Sequence, residues 1–380
     1  MRSPLAPSRL QVWAVEDNSA QLTWGHLPAG EITAWTGDVR VTVEHRGGPG
    51  TLTIGGLRPG TRHRIDVGWH GGRTQVVATT LTPPPGELLC RFATVSDLHL
   101  GATRWGALHQ MRDRSGLETP FAVRCARAAI ADAVDWGAEL LVVKGDAAHH
   151  QYQPHFDLVA DLLDEFDDLP MLLIPGNHDV DGRPGDPLPA KVGRRGLPFL
   201  RRPDCTDLPG IRIIVADTTV PGRGVGSLAQ VGDDILELAA RTRQPVFLGI
   251  HHQLERHRIP DHYPLGIPAP SSNDFLSELV RINARSLVSS GHTHRNRSRR
   301  HDSLAVTEVA STRDWPGVWA GYAVYEGGIR QVVRRVSGHD AVGWHEYSRR
   351  ALLGLWAWWS SGPLDQRCFS HTWPDSGSRR

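Results

Sequence analysis

The chain has 380 residues, is 39% hydrophobic and carries a formal net charge of +1, enough apolar content for proper cores in two domains or in one large domain with additions. The near-zero charge argues against a protein built mainly to bind nucleic acid. The four cysteines, Cys90, Cys125, Cys205 and Cys368, lie far apart, so neither a disulfide framework nor a zinc knuckle is indicated; no apolar region follows Met1-Arg2-Ser3-Pro4, and no run approaches the roughly 20 residues of a spanning helix, so a cytoplasmic location is expected.

From about Pro7 to Thr82 the pattern is strands only, with alternation in Ala20-Gln21-Leu22-Thr23-Trp24, Val39-Arg40-Val41-Thr42-Val43, Thr51-Leu52-Thr53-Ile54 and His63-Arg64-Ile65-Asp66-Val67. Short strands at this spacing predict a small β-sandwich. The Trp24 strand together with Leu57-Arg58-Pro59-Gly60-Thr61 resembles a fibronectin type III module, with His63 where that family commonly has Tyr. Such a module is either a recognition or oligomerisation surface or a brace for the remainder of the chain. Thr82-Pro83-Pro84-Pro85-Gly86 reads as a stiff linker that separates the two parts.

Five apolar runs then stop at polar clusters. Phe92-Ala93-Thr94-Val95 leads to Asp97-Leu98-His99, Leu140-Leu141-Val142-Val143 to Gly145-Asp146, and Met171-Leu172-Leu173-Ile174 to Gly176-Asn177-His178-Asp179. Val246 to Ile250 ends at His251-His252, and Ser286-Leu287-Val288 at Gly291-His292-Thr293-His294. The runs have the length and β-branched content of buried strands, so all five clusters fall at strand carboxyl ends, the edge where α/β sheets build sites. Two Asp, one Asn and several His with no cysteine form an oxygen and nitrogen donor set suited to hard or borderline divalent ions. Asp97 and His99, like His292 and His294, are two apart and would point to opposite faces of a continuing strand, so the chain must bend there.

Between the runs, Thr119-Pro120 predicts a capped helix start with Phe121, Cys125, Ala129 and Val134 on one face. Phe156, Val159, Leu162, Leu163 and Phe166 mark a second helix, Ile213 to Ala216 a strand, and Leu228 to Thr242 a third helix. Alternating strand and helix is a parallel crossover pattern.

The five clusters in this order resemble the calcineurin-like metallophosphoesterases, whose pattern reads D-x-H, G-D, G-N-H-[DE], H and G-H-x-H, over roughly Cys90 to Arg300. Within that superfamily the Ser-Asp-Leu-His, Gly-Asn-His-Asp and Gly-His-Thr-His pieces are most similar to class III cyclic nucleotide phosphodiesterases; Ala147-Ala148 departs from the Leu that relatives often carry. The resemblance implies two packed mixed β-sheets flanked by helices, and a dinuclear centre. Asp97, His99, Asp146 and His294 would hold one ion and Asp146, Asn177, His251 and His292 the other, with Mn, Fe, Zn and Co all compatible. It further implies in-line attack of a metal-activated hydroxide on phosphorus, with His178 protonating the leaving alkoxide or stabilising charge, and Asp179 orienting the His178 ring. His251 is chosen over His252 because it comes first after its strand; His252 falls behind it or contacts substrate. His149, His150, His257, His262 and His301 read as solvated or packing histidines.

The segment from Asp181 to Asp207, with Arg194, Arg195, Arg201 and Arg202, is either a lid or an exposed loop. Arg295, Arg297, Arg299 and Arg300 raise the same choice between phosphate contact and a solvated face. Ala305 to Val309 and the hairpin Tyr322 to Val333 are expected to complete the second sheet. Trp344, Trp356, Trp358, Trp359 and Trp373 crowd the tail, to be buried against the core, in a homodimer contact or at a membrane interface. The expected organisation is a sandwich with its linker over 1–85, a catalytic domain over 86–336 and a Trp-rich extension over 337–380. Hydrolysis of a small phosphodiester, 3′,5′-cyclic nucleotides included, is the leading function; a phosphomonoesterase or nuclease on the same site, or a non-catalytic scaffold, are the alternatives.

Overall fold

A computed structural model describes residues 10–106, 110–182, 197–260 and 262–374. At the N-terminus, a three-stranded sheet of Gln11–Val15, Ala20–Leu27 and Gly48–Ile54 shares a core with a four-stranded sheet ordered Val39–His45, Gly30–Thr36, Arg62–Trp69, Gly72–Thr79. Trp13, Leu22, Trp24, Ile32 and Ile65 fill it. His63 is buried with Nε2 3.1 Å from the carbonyl oxygen of Arg58, five residues upstream. That is the side-chain-to-backbone bond a corner tyrosine makes in such sandwiches, which accounts for a histidine at this position.

The proline stretch connects the sandwich to the rest of the chain, and the two parts pack against each other on either side of it. Buried Glu16 accepts from Arg330 at 2.6 Å, from Arg334 and from the Trp136 indole at 3.1 Å. Gln21 exchanges two bonds with the backbone of Arg335, at 2.8 and 2.9 Å. Trp13 packs edge-on against Trp315 with centroids 5.9 Å apart. A linker's stiffness sets its reach, but complementary charge and apolar area on both sides decide whether the parts dock.

The rest of the chain builds two six-stranded sheets. The first is ordered Met171–Ile174, Leu141–Lys144, Leu88–Val95, Val318–Tyr325, Gly328–Arg335, Phe369–Thr372. The second is ordered Asp204–Leu208, Ile211–Ala216, Val246–Ile250, Ser286–Ser290, Leu304–Glu308, Arg297–His301. Leu141–Lys144 in the first sheet and Val246–Ile250 in the second pair in parallel with both neighbours and are buried along their length, hence the unbroken apolar runs, whereas Val318–Tyr325 runs antiparallel to Leu88–Val95. The sheets meet where Phe92 stacks on Tyr322 at 4.9 Å and meets Phe247 edge-on at 4.8 Å.

Three expectations need correction. The hairpin Val318–Tyr325 and Gly328–Arg335 pairs with Leu88–Val95 in the first sheet; only Leu304–Glu308 joins the second. Helix Phe121–Asp135 begins without a side-chain cap, because Pro120, which has no side-chain acceptor, occupies the N-cap position; its buried stripe runs Phe121, Cys125, Ala129, Ala133, leaving Val134 exposed, as a 100° step per residue requires. The third helix spans Gly232–Ala240, shorter than expected, since Leu228 to Val231 form a turn first. Among the described residues no helix is long and apolar enough to cross a membrane.

Candidate metal centre

The five clusters converge at the carboxyl ends of Leu88–Val95, Leu141–Lys144, Met171–Ile174, Val246–Ile250 and Ser286–Ser290. The bend that the two-residue spacings demand is a left-handed backbone. Asp97, His99, Asp146, His292 and His294 have φ of 56°, 47°, 51°, 68° and 51°, five of the eight described non-glycine residues with positive φ. Such conformations are uncommon for side-chain-bearing residues and collect at functional sites. Gly145, itself at φ +86°, lets the chain pass where a Cβ would come within 2.6 Å of His251 Nδ1 and 2.7 Å of Gly176 N.

The side chains then meet. His99 Nε2 lies 3.3 Å from His294 Nε2, and His294 Nε2 lies 3.4 Å from Asp97 Oδ1. Asp146 Oδ2 is 3.6 Å from His99 Nε2 and 3.4 Å from His251 Nε2, which in turn lies 3.2 Å from Asn177 Oδ1. The His292 ring centroid is 5.1 Å from that of His251. All seven expected residues are thus gathered in one centre, with Asp146 between two groups.

The donor chemistry fits divalent cations. Burial holds His99 well below the ordinary imidazole range and His292 at about 3, so both are neutral lone-pair donors. Burial also opposes protonation of His251 and His294, but Asp146 beside the first, and Asp314 and Asp97 beside the second, outweigh it and raise them to about 9 and about 10. These carboxylates draw positive charge into a dry cleft, which a bound cation satisfies directly.

A second layer fixes the rings. His294 Nδ1 is 2.8 Å from Asp314 Oδ2 and His251 Nδ1 is 2.8 Å from the Lys144 carbonyl, so in both rings Nε2 is the nitrogen that faces the centre. His178 Nδ1 is 3.0 Å from the His149 carbonyl, and the His178 amide donates to Asp146 Oδ1 at 2.8 Å. Asp179 does not orient His178. Its buried carboxylate accepts from the amides of Ala147, Ala148 and Gly176 at 3.2, 2.8 and 2.8 Å, tying the Asp146 turn to the Asn177 turn. His252 is fully buried behind the centre, with Nδ1 2.9 Å from Thr218 Oγ1.

A cavity of about 680 Å³ opens over these residues. Its polar wall includes His149, Arg104 and Arg313, and its apolar wall Trp105, Tyr263, Leu265, Leu352 and Trp356. His149, expected to be a solvated or packing histidine, therefore lines the site. The described members of the two arginine clusters do not line the cavity. Arg295 pairs with Glu308 and lies over the Trp359 ring, Arg299 donates to the Leu254 carbonyl, and Arg201 pairs with Asp217. Arg194 and Arg195 fall outside the described residues. Sequence reasoning missed Arg313 and Asp314, whose only trace is their adjacency as an acid–base pair, and it named Trp356 without placing it at the site.

Residues 90–296 match the calcineurin-like phosphoesterase family. A curated relative from Psychrobacter arcticus, described as "Probable cyclic nucleotide phosphodiesterase", is 22% identical over 244 residues, 62% of this chain and 83% of its own. Among solved structures, a purple acid phosphatase from yellow lupin seeds is similar at 13% identity and a TM-score of 0.47, covering 88% of this chain and 73% of that one. PhoD is similar at 9% identity and a TM-score of 0.44, covering 85% of each.

Proposed function

The chain belongs to the calcineurin-like phosphoesterase family, a metal-dependent phosphoester hydrolase by that membership, and from this premise we propose that it cleaves phosphodiesters at a two-ion centre, with 3′,5′-cyclic nucleotides among its substrates. The observation that carries the two-ion reading is the position of Asp146 Oδ2, within 3.6 Å of His99 on one side and 3.4 Å of His251 on the other. Asp97, His99, Asp146 and His294 would hold one ion, and Asp146, Asn177, His251 and His292 the second; Mn, Fe, Zn and Co suit this set. When bound, such ions supply Lewis acidity to the phosphoryl oxygens and acidify a water to serve as nucleophile.

The chain's own groups do the rest. With Nδ1 donating to the His149 carbonyl, a His178 ring protonated at both nitrogens would give its Nε2 proton to the departing alkoxide from the cavity wall and return to the neutral form. Arg313, paired with Asp314 in the same wall, offers a fixed positive charge to a non-bridging phosphoryl oxygen. Trp105, Tyr263 and Trp356 give a planar or apolar substituent a surface to lie on. The similarity of three motif pieces to class III cyclic phosphodiesterases, and the description of the Psychrobacter relative, support the cyclic substrate. In this reading the sandwich is a brace, and Ala351, Leu352 and Trp356 of the C-terminal extension complete the cavity wall.

One assay panel tests the proposal: the Mn²⁺-loaded protein with cyclic nucleotides, an aryl phosphodiester, an aryl phosphomonoester and single-stranded DNA. Diesters should have the higher kcat/KM. Arg104 and Arg313 in one wall favour a dianionic monoester as the second reading; a monoester preference of about tenfold or more (~1.4 kcal/mol in the barrier), without cyclic AMP turnover, would establish it instead.

A further inference from the structure

Large apolar side chains are exposed in one place far more than elsewhere. Of the twelve exposed among the described residues, seven lie in two short segments: Ile259, Tyr263 and Leu265, and Leu352, Leu353, Leu355 and Trp358. Leu353 is fully exposed and Trp358 is 79% exposed. The segments are neighbours across the mouth of the metal-centre cavity, since Tyr263, Leu265, Leu352 and Trp356 line it together and the His262 and Trp359 rings lie 5.6 Å apart. Leu352 and Leu353 have φ of 49° and 57°, so the backbone holds two consecutive leucines outward in a conformation that leucine seldom adopts. The apolar surface continues from the rim into the cavity.

The same segments carry exposed Arg256, Arg258 and Arg350. Over 256–265 and 349–361 the sequence holds four arginines, Arg256, Arg258, Arg349 and Arg350, against one acid, Asp261. Protruding Leu, Trp and Tyr in segments that also expose arginine is the composition of surfaces that sit at a bilayer interface, where the apolar groups enter the acyl boundary and the cations meet anionic headgroups. A second copy of the chain fits poorly: a two-fold contact through this face would set two net-positive rims against each other, with four arginines to one acid on each. We infer that the rim docks onto an anionic phospholipid surface and turns the cavity mouth toward it. The docking does not depend on which phosphoester the centre cleaves.

The test is co-sedimentation of the metal-loaded full chain with vesicles of phosphatidylglycerol and phosphatidylcholine, and with vesicles of phosphatidylcholine alone. The parent should partition onto the mixed vesicles and do so far less onto the neutral ones. The triple variant Leu353→Ser, Leu355→Ser, Trp358→Ser should bind the mixed vesicles about tenfold less or worse, as should Arg256→Gln with Arg350→Gln. Both variants should hydrolyse a soluble aryl phosphodiester at the parental rate, showing that they are folded and separating this result from the reading of the catalytic site. A parent that ignores anionic vesicles, or a triple variant that binds them like the parent, overturns the inference. So does a lipid-free dimer of the parent in sedimentation velocity that the triple variant abolishes, because a second copy would then cover the rim.

Discussion

His294 Nδ1 lies 2.8 Å from Asp314 Oδ2, and the Trp356 indole donates to the other oxygen of that carboxylate at 3.3 Å. The aspartate locks the ring so that Nε2 meets Asp97 and His99. A carboxylate behind a metal-binding imidazole also raises its basicity, and removing one typically costs 10- to 100-fold in metal affinity, roughly 1.4–2.7 kcal/mol. Asp314→Asn should therefore bind one of its ions about 10- to 100-fold more weakly in chelator competition while the other stays in place. Unchanged affinity for both would show that the contact is structural only.

Asp146→Ala removes the carboxylate whose Oδ2 lies beside an imidazole nitrogen of each ligand group, His99 and His251. The expected outcome is loss of both ions and of nearly all hydrolysis, read by metal analysis and initial rates on the same sample. Two ions per chain in that variant would rule out Asp146 as the bridge.

His178→Ala should keep both ions, since the ring is held by the His149 carbonyl and only the residue's amide touches Asp146. Turnover of a diester with a poor alkoxide leaving group should fall by about 10²–10⁴. An aryl diester, whose leaving group needs no proton, should fall much less. Equal losses on the two substrates would assign His178 to binding.

Much of this centre is legible in the chain. Each buried parallel strand must be apolar along its length and must end where polar groups begin, so Val95, Val143, Ile174, Ile250 and Val288 mark the five edges in the sequence itself. The supporting residues carry no such mark. Asp314 is a lone acid with no spacing to His294 that a local pattern could reveal, and Asp179 shares a motif with His178 but turns its carboxylate to the amides of Ala147 and Ala148. The sheet that Val318–Tyr325 joins is equally illegible, because an alternating or buried hairpin does not encode its partner strand. Likewise Glu16, in a stretch of predicted strands, has the look of a solvated acid, whereas Arg330 and Arg334 reach it from more than 300 residues away.

Glu308 sets an acid limit on stability. Burial alone would raise its carboxyl, yet His262 and the Arg295 guanidinium outweigh burial and hold it at about 2, against an ordinary value of 4.5. The depressed folded-state value means that the contribution is fully present above about pH 4.5 and is lost as pH falls toward 2; for a shift of this size it amounts to at most roughly 3 kcal/mol. In urea titrations Glu308→Gln should be less stable than the parent at neutral pH and should lose less than the parent between pH 4.5 and 3. Parallel curves for the two proteins would show that another carboxylate controls the acid limb.

Removing the sandwich tests whether it is a brace. A chain beginning at Gly86 lacks Glu16 and Gln21, leaving Arg330, Arg334 and Arg335 without those partners, and it uncovers the Trp315 ring that Trp13 packs against. Breaking one side of a buried ion pair typically costs 3–5 kcal/mol, which for a domain of this size lowers Tm by roughly 10 °C or more. The cavity, in contrast, is lined by no residue before His99, so the part that remains folded at low temperature should hydrolyse a soluble diester at a rate near the parent's. Glu16→Gln in the full chain should move Tm in the same direction by a smaller amount, with the rate unchanged. A truncated protein that melts at the parental temperature would show that the docked surface contributes nothing to stability. One that is soluble and metal-loaded yet inactive would show instead that the sandwich shapes the site, acting through Trp13 and Trp315 on the neighbouring Asp314 that holds His294.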